Sequence, residues 1–251
     1  MVREKAHTRA GDALAAQCRR PPMVEFDGPV EVVGPDGPVP FRDLFQGRDE
    51  LVVHKHTWND GAPHQDQCEG CTTTAWHLRD TVCPSARGVS VAVVTTGEWD
   101  EVAAGYVGFM GYPRHLYSVR GPDEPVGGDM GFLTSYLRDG DRTFLTYSTT
   151  GRRNEPVSGS FALLDRTPRG RGEAWEDGPG DRDACWYWRT DAAGSPASGP
   201  TSRPVPQWTR AGATAVATLG RHSHWHSPAL PLTGPRVRPL TGNGGPPAAM
   251  G

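Results

Sequence analysis

The chain has 251 residues, and its 32 glycines and 24 prolines accompany a hydrophobic fraction of only 36%. The ordered core must therefore be smaller than the chain. A net charge of −3, without a long cluster of lysine and arginine, gives no reason to expect nucleic acid as a partner. No apolar run approaches a membrane span and no secretory segment is evident, so we expect a cytoplasmic protein without a membrane partner.

The N-terminal part of the chain is predicted to contain a helix and a small hairpin. Residues 3–20 are rich in alanine, and Pro21-Pro22 stops the helix that they predict. Short apolar stretches between residues 24 and 39 alternate with Gly-Pro and Asp-Gly, which predicts a small β-hairpin. A one-turn helix is expected to follow at residues 41–45.

Five cysteines lie at positions 18, 68, 71, 83 and 185. An odd number at irregular spacing in a reducing compartment argues against a disulfide scaffold. The pair that needs an explanation is Cys68-Glu69-Gly70-Cys71, a CxxC motif. Cys18, Cys83 and Cys185 are interpreted as free thiols.

The CxxC motif follows a predicted strand and opens a predicted helix. Residues 51–57 predict the first central strand, in which His54 and His56 share a face because side chains alternate. The loop 58–67 then leads to the first thiol. We expect the histidines to line the active-site face, where a protonated histidine would favour a thiolate.

A helical stripe gives the two thiols different environments. Apolar or small residues recur at Cys71, Ala75, Leu78 and Val82. Cys71 should therefore face the core, whereas Cys68 lies in the exposed first turn. The unpaired N–H groups and partial positive charge of a helix N-terminus stabilise a thiolate, so we predict a lowered pKa for Cys68.

Downstream patterns predict a second strand and helix, then a hairpin and a closing helix. Residues 88–96 form a β-branched run typical of a strand buried on both faces. Thr95 and Glu98 have the spacing of a capping box. The helix that follows should place on one face Trp99, Val102, Ala103, Tyr106 and Met110. Strands at 132–138 and 142–149 are joined through Asp139-Gly140, and a helix is expected at 158–165.

This order of elements, with CxxC between the first central strand and its helix, resembles the thioredoxin fold over residues 24–166. Segments such as DLFQGRDELVVHKHTW and DQCEGCTTTAWHLRD are similar to a bacterial thioredoxin-like family of predicted dithiol-disulfide oxidoreductases of unknown function. The resemblance implies an α/β protein with a central mixed β-sheet flanked by helices. It also implies redox activity at Cys68 and Cys71.

Two features depart from thioredoxin itself. The dipeptide inside the motif is Glu-Gly where thioredoxin has Gly-Pro, and the charge of Glu69 should partly oppose thiolate formation. Residues 131–134, Gly-Phe-Leu-Thr, stand where thioredoxins carry a cis-proline opposite the disulfide. How a substrate backbone would dock is therefore left open.

The function that the sequence predicts is thiol-disulfide exchange. Cys68 would attack a disulfide and Cys71 would resolve the mixed disulfide, with Trp58, His64, Glu69 and Gly70 as candidate surroundings. The sulfurs carry the electrons, so we expect no prosthetic group and no metal. The expected partners are a disulfide or thiol substrate and an upstream reductase.

Two alternatives stay open at the level of sequence. The first is a non-catalytic thioredoxin-like binding module whose CxxC is structural or holds zinc with two of His54, His56 and His64. The second is a thiol peroxidase, although Gly61 and Gln65 stand where peroxiredoxins are expected to carry proline and threonine.

We divide the chain into four parts. Residues 1–23 are an N-terminal helix, 24–170 are the thioredoxin-like domain, and the C-terminal extension that follows is irregular. Residues 171–210 form an aromatic-rich extension. Residues 211–251 are expected to be a disordered tail, since they have too few apolar residues to offset the entropy of ordering.

Overall fold

The computed structural model describes residues 2–26, 30–62, 67–102, 107, 115–119 and 126–171. Almost all of the aromatic-rich extension, the whole tail and His64 lie outside these ranges, so the expectations for them stay predictions. None of the described helices combines the length and the apolar character that crossing a bilayer would need.

Eight described strands form one sheet. They are β1 (Val24–Phe26), β2 (Glu31–Gly34), β3 (Gly37–Pro40), β4 (Glu50–His56), β5 (Val89–Thr95), β6 (Leu116–Ser118), β7 (Phe132–Asp139) and β8 (Arg142–Thr150). Their order across the sheet is β1-β8-β7-β4-β5-β6-β2-β3. Strand β4 runs parallel to β5 and antiparallel to β7, so the sheet is mixed.

The described helices are α1 (Val2–Cys18), α2 (Glu69–His77), α3 (Val82–Ala86), α4 (Trp99–Glu101) and α5 (Gly159–Leu164). Two 3₁₀ helices, Phe41–Phe45 and Gly151–Val157, complete the described elements. A β4-α2-β5 unit followed by the β7-β8 hairpin and α5 is the thioredoxin-like arrangement that the sequence predicted. The fold is therefore thioredoxin-like, with a mixed sheet flanked by helices.

Strand β5 shows why the sheet is covered on both faces. Its side chains alternate between two clusters because strand residues point to opposite faces in turn. Ala92 and Val94 pack with the 3₁₀ helix Phe41–Phe45 on one face. Val93 packs with Ala75 of α2 on the other face. Its β-branched composition suits this doubly buried position, as predicted.

The structure corrects the predicted length of the helix that carries CxxC. Helix α2 ends at His77, and Leu78 is its C-terminal cap. Val82 is 71% exposed and belongs to the separate helix α3. A side-chain oxygen of Asp80 accepts a hydrogen bond from the Val82 N–H at 2.9 Å, which favours a new helix start here.

The predicted capping box of Thr95 and Glu98 is not formed in the structure. Thr95 is buried in β5, and Glu98 is the N-cap of α4 without a side-chain capping bond. Val102 is fully buried, as the predicted helix face requires, whereas Ala103, Tyr106 and Met110 lie outside the described residues. The sheet partner outweighs the local capping preference of Thr95 because β5 pairs on both sides.

Candidate active site

The two thiols lie where β4 delivers the chain to α2. Cys68 is the N-cap of α2 and is half-buried, whereas Cys71 in the first turn is only 2% exposed. The Thr72 hydroxyl donates to the Cys68 carbonyl at 2.8 Å, and the Thr72 N–H donates to the same oxygen at 3.0 Å. The predicted inward orientation of Cys71 is confirmed, but Cys68 is less exposed than a first-turn position suggested.

Thr57, the residue directly after β4, contacts the buried sulfur. Its backbone N–H donates to Cys71 Sγ at 3.4 Å. The Thr57 hydroxyl lies 3.6 Å from Cys71 Sγ and is one of two acceptors within reach of the single Cys71 thiol proton, the other being the Cys68 sulfur. These are ordinary distances for weak hydrogen bonds to sulfur. Cys71 is therefore held against the end of the central strand and away from solvent.

The surroundings move the pKa values of the two thiols in opposite directions. A hydrogen bond from the Cys71 thiol, helped by the backbone N–H groups of Cys71 and Gly70, lowers the pKa of Cys68 to about 7 against the opposing effect of burial. The same sulfur–sulfur hydrogen bond, burial and the negative charge of Cys68 raise the pKa of Cys71 well above its ordinary value. Near neutral pH the proton therefore resides on Cys71 and negative charge on Cys68.

The histidines of β4 do not line an exposed face. His54 and His56 are each 1% exposed. Burial lowers the pKa of His54 to about 4 and that of His56 to about 3. Both rings are neutral near pH 7, so they cannot supply the positive charge that the sequence suggested.

Their hydrogen bonds give these histidines a structural role instead. His54 Nε2 lies 3.1 Å from the Cys71 carbonyl oxygen, and so ties α2 to β4. His56 Nδ1 lies 2.8 Å from the Thr57 carbonyl oxygen. A strand face covered by a helix cannot be distinguished by periodicity from a face that lines an active site.

The other predicted neighbours occupy different places. Gly70 is buried, and its backbone N–H contributes to the lowered pKa of Cys68. Trp58 packs on the cluster that contains Ala75, so it is a core aromatic beside the site. A side chain at Gly97 would approach the Trp58 ring to 2.6 Å, so glycine is required there. Glu69 is the first residue of α2, and only its backbone position is described.

Sequence analysis missed Gln67, which fixes the loop before the motif. This residue is 2% exposed. Its amide nitrogen donates to the carbonyl oxygens of Asn59 and Ala62 at 2.9 and 3.2 Å, and its amide oxygen accepts from the Asn59 N–H at 3.0 Å. No periodic pattern marks such a residue, because the signal lies in tertiary hydrogen bonds.

Gly131 is the first of the four residues, 131–134, that stand where thioredoxins carry a cis-proline. Its φ of +86° is in the region that favours glycine. The Gly131 N–H donates to the Lys55 carbonyl at 2.7 Å, and its own carbonyl accepts from Thr150 Oγ1 at 2.9 Å and Asn154 Nδ2 at 3.2 Å. Its backbone groups are thus engaged within the protein.

Across the described ranges, no three side chains among histidine, cysteine, aspartate and glutamate come together as a metal site would require. The ring nitrogen of His54 nearest the motif points to the Cys71 carbonyl and not to a sulfur. The Cys2His2 arrangement considered from sequence is therefore not formed by His54 and His56. His64 lies outside the described residues.

Several solved structures are similar to this chain, and two of them are described here. One is a protein from Chlorobium tepidum described as a thiol:disulfide interchange protein, DsbE, with a TM-score of 0.34, 16% identity, and coverage of 56% of this chain and 92% of that chain. The other is a yeast mitochondrial 1-Cys peroxiredoxin, with a TM-score of 0.29, 12% identity, and coverage of 61% and 80%. At these scores neither similarity carries an argument about activity.

A search of curated proteins gave no significant match. One family model matches residues 1–193, which is more than half of the chain, and its description is "Bacterial protein of unknown function (DUF899)". The chain therefore belongs to this bacterial family.

Proposed function

We propose that the chain is a thiol-disulfide oxidoreductase in which Cys68 is the attacking thiol and Cys71 the resolving thiol. The observation that carries this proposal is the asymmetry of the pair. Cys68 is half-buried and has a pKa lowered to about 7, whereas Cys71 is 2% exposed and has a raised pKa. An attacking thiol works best when its pKa lies near the ambient pH, and a resolving thiol needs only to reach its partner.

The reaction has two exchanges. The Cys68 thiolate attacks one sulfur of a substrate disulfide, so a mixed disulfide forms and the first substrate thiolate leaves with the electron pair. Cys71 then loses its proton and attacks Cys68 Sγ, which releases the second substrate thiolate. The substrate disulfide is reduced by two electrons and the dithiol is oxidised to a Cys68–Cys71 disulfide.

This proposal requires partners of two chemical classes. The first is a disulfide substrate, or a dithiol substrate if electrons flow the other way. The second is a reductase that returns the Cys68–Cys71 disulfide to the dithiol form. No prosthetic group takes part in either exchange, because the two sulfurs carry both electrons.

The test is to trap the first intermediate with single substitutions, using oxidised glutathione as the probe. Cys71→Ser should accumulate a stable adduct on Cys68, because attack is intact and resolution is lost. Cys68→Ser should form no adduct at either motif position and show no turnover. Cys83→Ser is the matched control, since Cys83 is an exposed thiol outside the motif and its loss should leave turnover unchanged.

Peptide mass mapping locates the adduct. An adduct on Cys71 in the Cys68→Ser protein, with full turnover, would reverse the proposed roles. Unchanged turnover in both motif variants, or a disulfide from Cys68 to Cys83 in the oxidised protein, would contradict the assignment of the site. Stoichiometric zinc held by both motif thiols in freshly purified reduced protein would favour the binding-module alternative.

A further inference from the structure

Resolution by Cys71 poses a problem of proton transfer that the two thiols alone do not solve. Cys71 is 2% exposed, so bulk water has little access to its proton. The Cys68 sulfur, which pairs with this proton in the free dithiol, is part of a disulfide bond when resolution begins. A different group must take the proton before Cys71 can attack.

Thr57 is placed to do so. Its hydroxyl lies 3.6 Å from Cys71 Sγ, within reach of the thiol proton, while its backbone N–H donates to the same sulfur at 3.4 Å. The Thr57 side chain also helps to lower the pKa of Cys68, as the smallest of several causes. Thr57 is itself half-buried, so it links a sulfur that water does not reach to the protein surface.

The neighbouring titratable groups of β4 point elsewhere. His54 Nε2 lies 3.1 Å from the Cys71 carbonyl oxygen. His56 Nδ1 lies against the Thr57 carbonyl oxygen at 2.8 Å. Neither of these ring nitrogens hydrogen-bonds to a sulfur, whereas the Thr57 hydroxyl hydrogen-bonds to Cys71 Sγ.

We propose that Thr57 is a catalytic residue of the resolving step, in which its hydroxyl relays the Cys71 proton and its backbone N–H stabilises the Cys71 thiolate. This inference rests on the proposed function of the dithiol. It assigns a role in the second exchange only, because Cys68 enters the first exchange already as a thiolate.

The step balances as follows. The Cys71 S–H proton passes to Thr57 Oγ1 as the Thr57 hydroxyl proton passes outward to the departing substrate thiolate or to water. The electron pair left on Cys71 forms the bond to Cys68 Sγ. The bond between Cys68 and the substrate sulfur breaks, and the substrate leaves as a thiolate when water takes the proton, or as a thiol when the departing sulfur takes it. Thr57 ends the step unchanged.

The test separates the two exchanges with dithionitrobenzoate, an aromatic disulfide that releases one coloured thiolate at each exchange. The reference protein, called wild type below, and every variant carry Cys18→Ser, Cys83→Ser and Cys185→Ser, so that only the motif thiols can react. The wild-type protein should show two phases, attack followed by resolution. Thr57→Val, which keeps the backbone N–H and the side-chain shape, should change the first phase only slightly, because Thr57 is the smallest of the causes that lower the pKa of Cys68. It should slow the second phase about tenfold or more. Thr57→Ser, which keeps the hydroxyl, should retain the second phase.

Thr134→Val is the matched control. Thr134 is 2% exposed, and its hydroxyl donates to the Val53 carbonyl at 3.2 Å on the neighbouring strand, so this variant also loses a buried threonine hydroxyl. Its second phase should match that of the wild type.

A second experiment needs no variant. Deuterated solvent should slow the second phase of the wild type and leave the first unchanged, since only resolution moves a proton.

The results can contradict the role of Thr57 without contradicting thiol-disulfide exchange by the two cysteines. A wild-type protein that releases only one coloured thiolate would overturn both, because Cys71 would not resolve. Two phases in the wild type, with the second equally fast in Thr57→Val or free of a solvent isotope effect, would overturn the role of Thr57 alone. Equal slowing in Thr57→Val and Thr134→Val would also overturn it.

Discussion

Helices α1 and α2 are stabilised in opposite ways. Helix α1 has 17 residues, is rich in alanine and has no buried residue. Helix α2 has nine residues, three of them consecutive threonines, which are poor helix formers. Yet residues 70–75 of α2 are all buried. Helix α1 follows from intrinsic propensity, whereas α2 exists because the sheet and its neighbours hold it.

The difference shows which of the two helices can hold a reactive side chain in a fixed position. A helix without tertiary contacts is marginal in water and frays, so it cannot fix a thiol to a fraction of an ångström. In α2 the Cys71 carbonyl is held by His54 and the Cys71 sulfur by Thr57, both from the end of β4. The candidate site therefore lies on the helix that tertiary contacts hold in place.

The largest change in stability should come from low pH, which acts on the buried histidines beneath α2. Burial lowers the pKa of His54 to about 4 and that of His56 to about 3, from 6.5 in the unfolded chain. Below about pH 6.5 these two histidines bind protons in the unfolded chain but stay neutral in the folded protein, so protonation favours the unfolded state. Stability that is fully present above about pH 6.5 should thus fall by about 1.4 kcal/mol per pH unit for each histidine as the pH drops towards 5.

Urea unfolding at a series of pH values measures this slope, and His54→Gln is the variant that assigns it. Glutamine keeps an amide donor for the Cys71 carbonyl but does not titrate. The slope of the free energy of unfolding against pH should therefore decrease by the contribution of one histidine. His115, whose pKa burial also lowers, adds to the residual slope in both proteins. A free energy of unfolding that is constant between about pH 7 and 5 would contradict the burial of these rings beneath α2.

A smaller effect should follow from one substitution made in both helices. Ala75 of α2 is 2% exposed, whereas Ala6 of α1 is exposed. Ala75→Leu should destabilise the protein by about 1–3 kcal/mol, because the added atoms overpack a filled site. Ala6→Leu should change the free energy of unfolding by less than about 0.5 kcal/mol. Equal costs at the two positions, measured by urea unfolding, would remove the distinction between the helices.

Strong local patterns were sufficient to predict much of the fold. The β-branched run of β5, the Asp139-Gly140 turn between β7 and β8, and the position of CxxC between a strand and a helix all occur in the structure as expected. Each is encoded within a short window, so neighbouring residues carry the information. The inward orientation of Cys71 followed from its spacing to Ala75 and Leu78, although Val82, the last residue of the predicted stripe, belongs to a separate helix.

Features that depend on distant contacts could not be predicted. Strand β6 is only three residues long, and it forms because β5 and β2 flank it. Strand β1 pairs with β8, and so lies at the opposite edge of the sheet from the β2–β3 hairpin. For the histidines of β4, the shared face was predicted correctly, but the predicted exposed environment was wrong because both rings are buried. Thr57 had no signal in the sequence, because its role follows from the place where β4 meets Cys71.

The measurement that tests the central claim most directly is a pH series of thiol alkylation, with iodoacetamide as the reagent and peptide mass mapping as the readout. The account predicts that Cys68 reacts first and that its rate rises with pH to a plateau with a midpoint near its pKa of about 7. Cys71 should stay slow throughout, and the exposed Cys83 provides the reference for an accessible thiol. Faster alkylation of Cys71 than of Cys68 across the series would contradict the proposed roles of the two sulfurs.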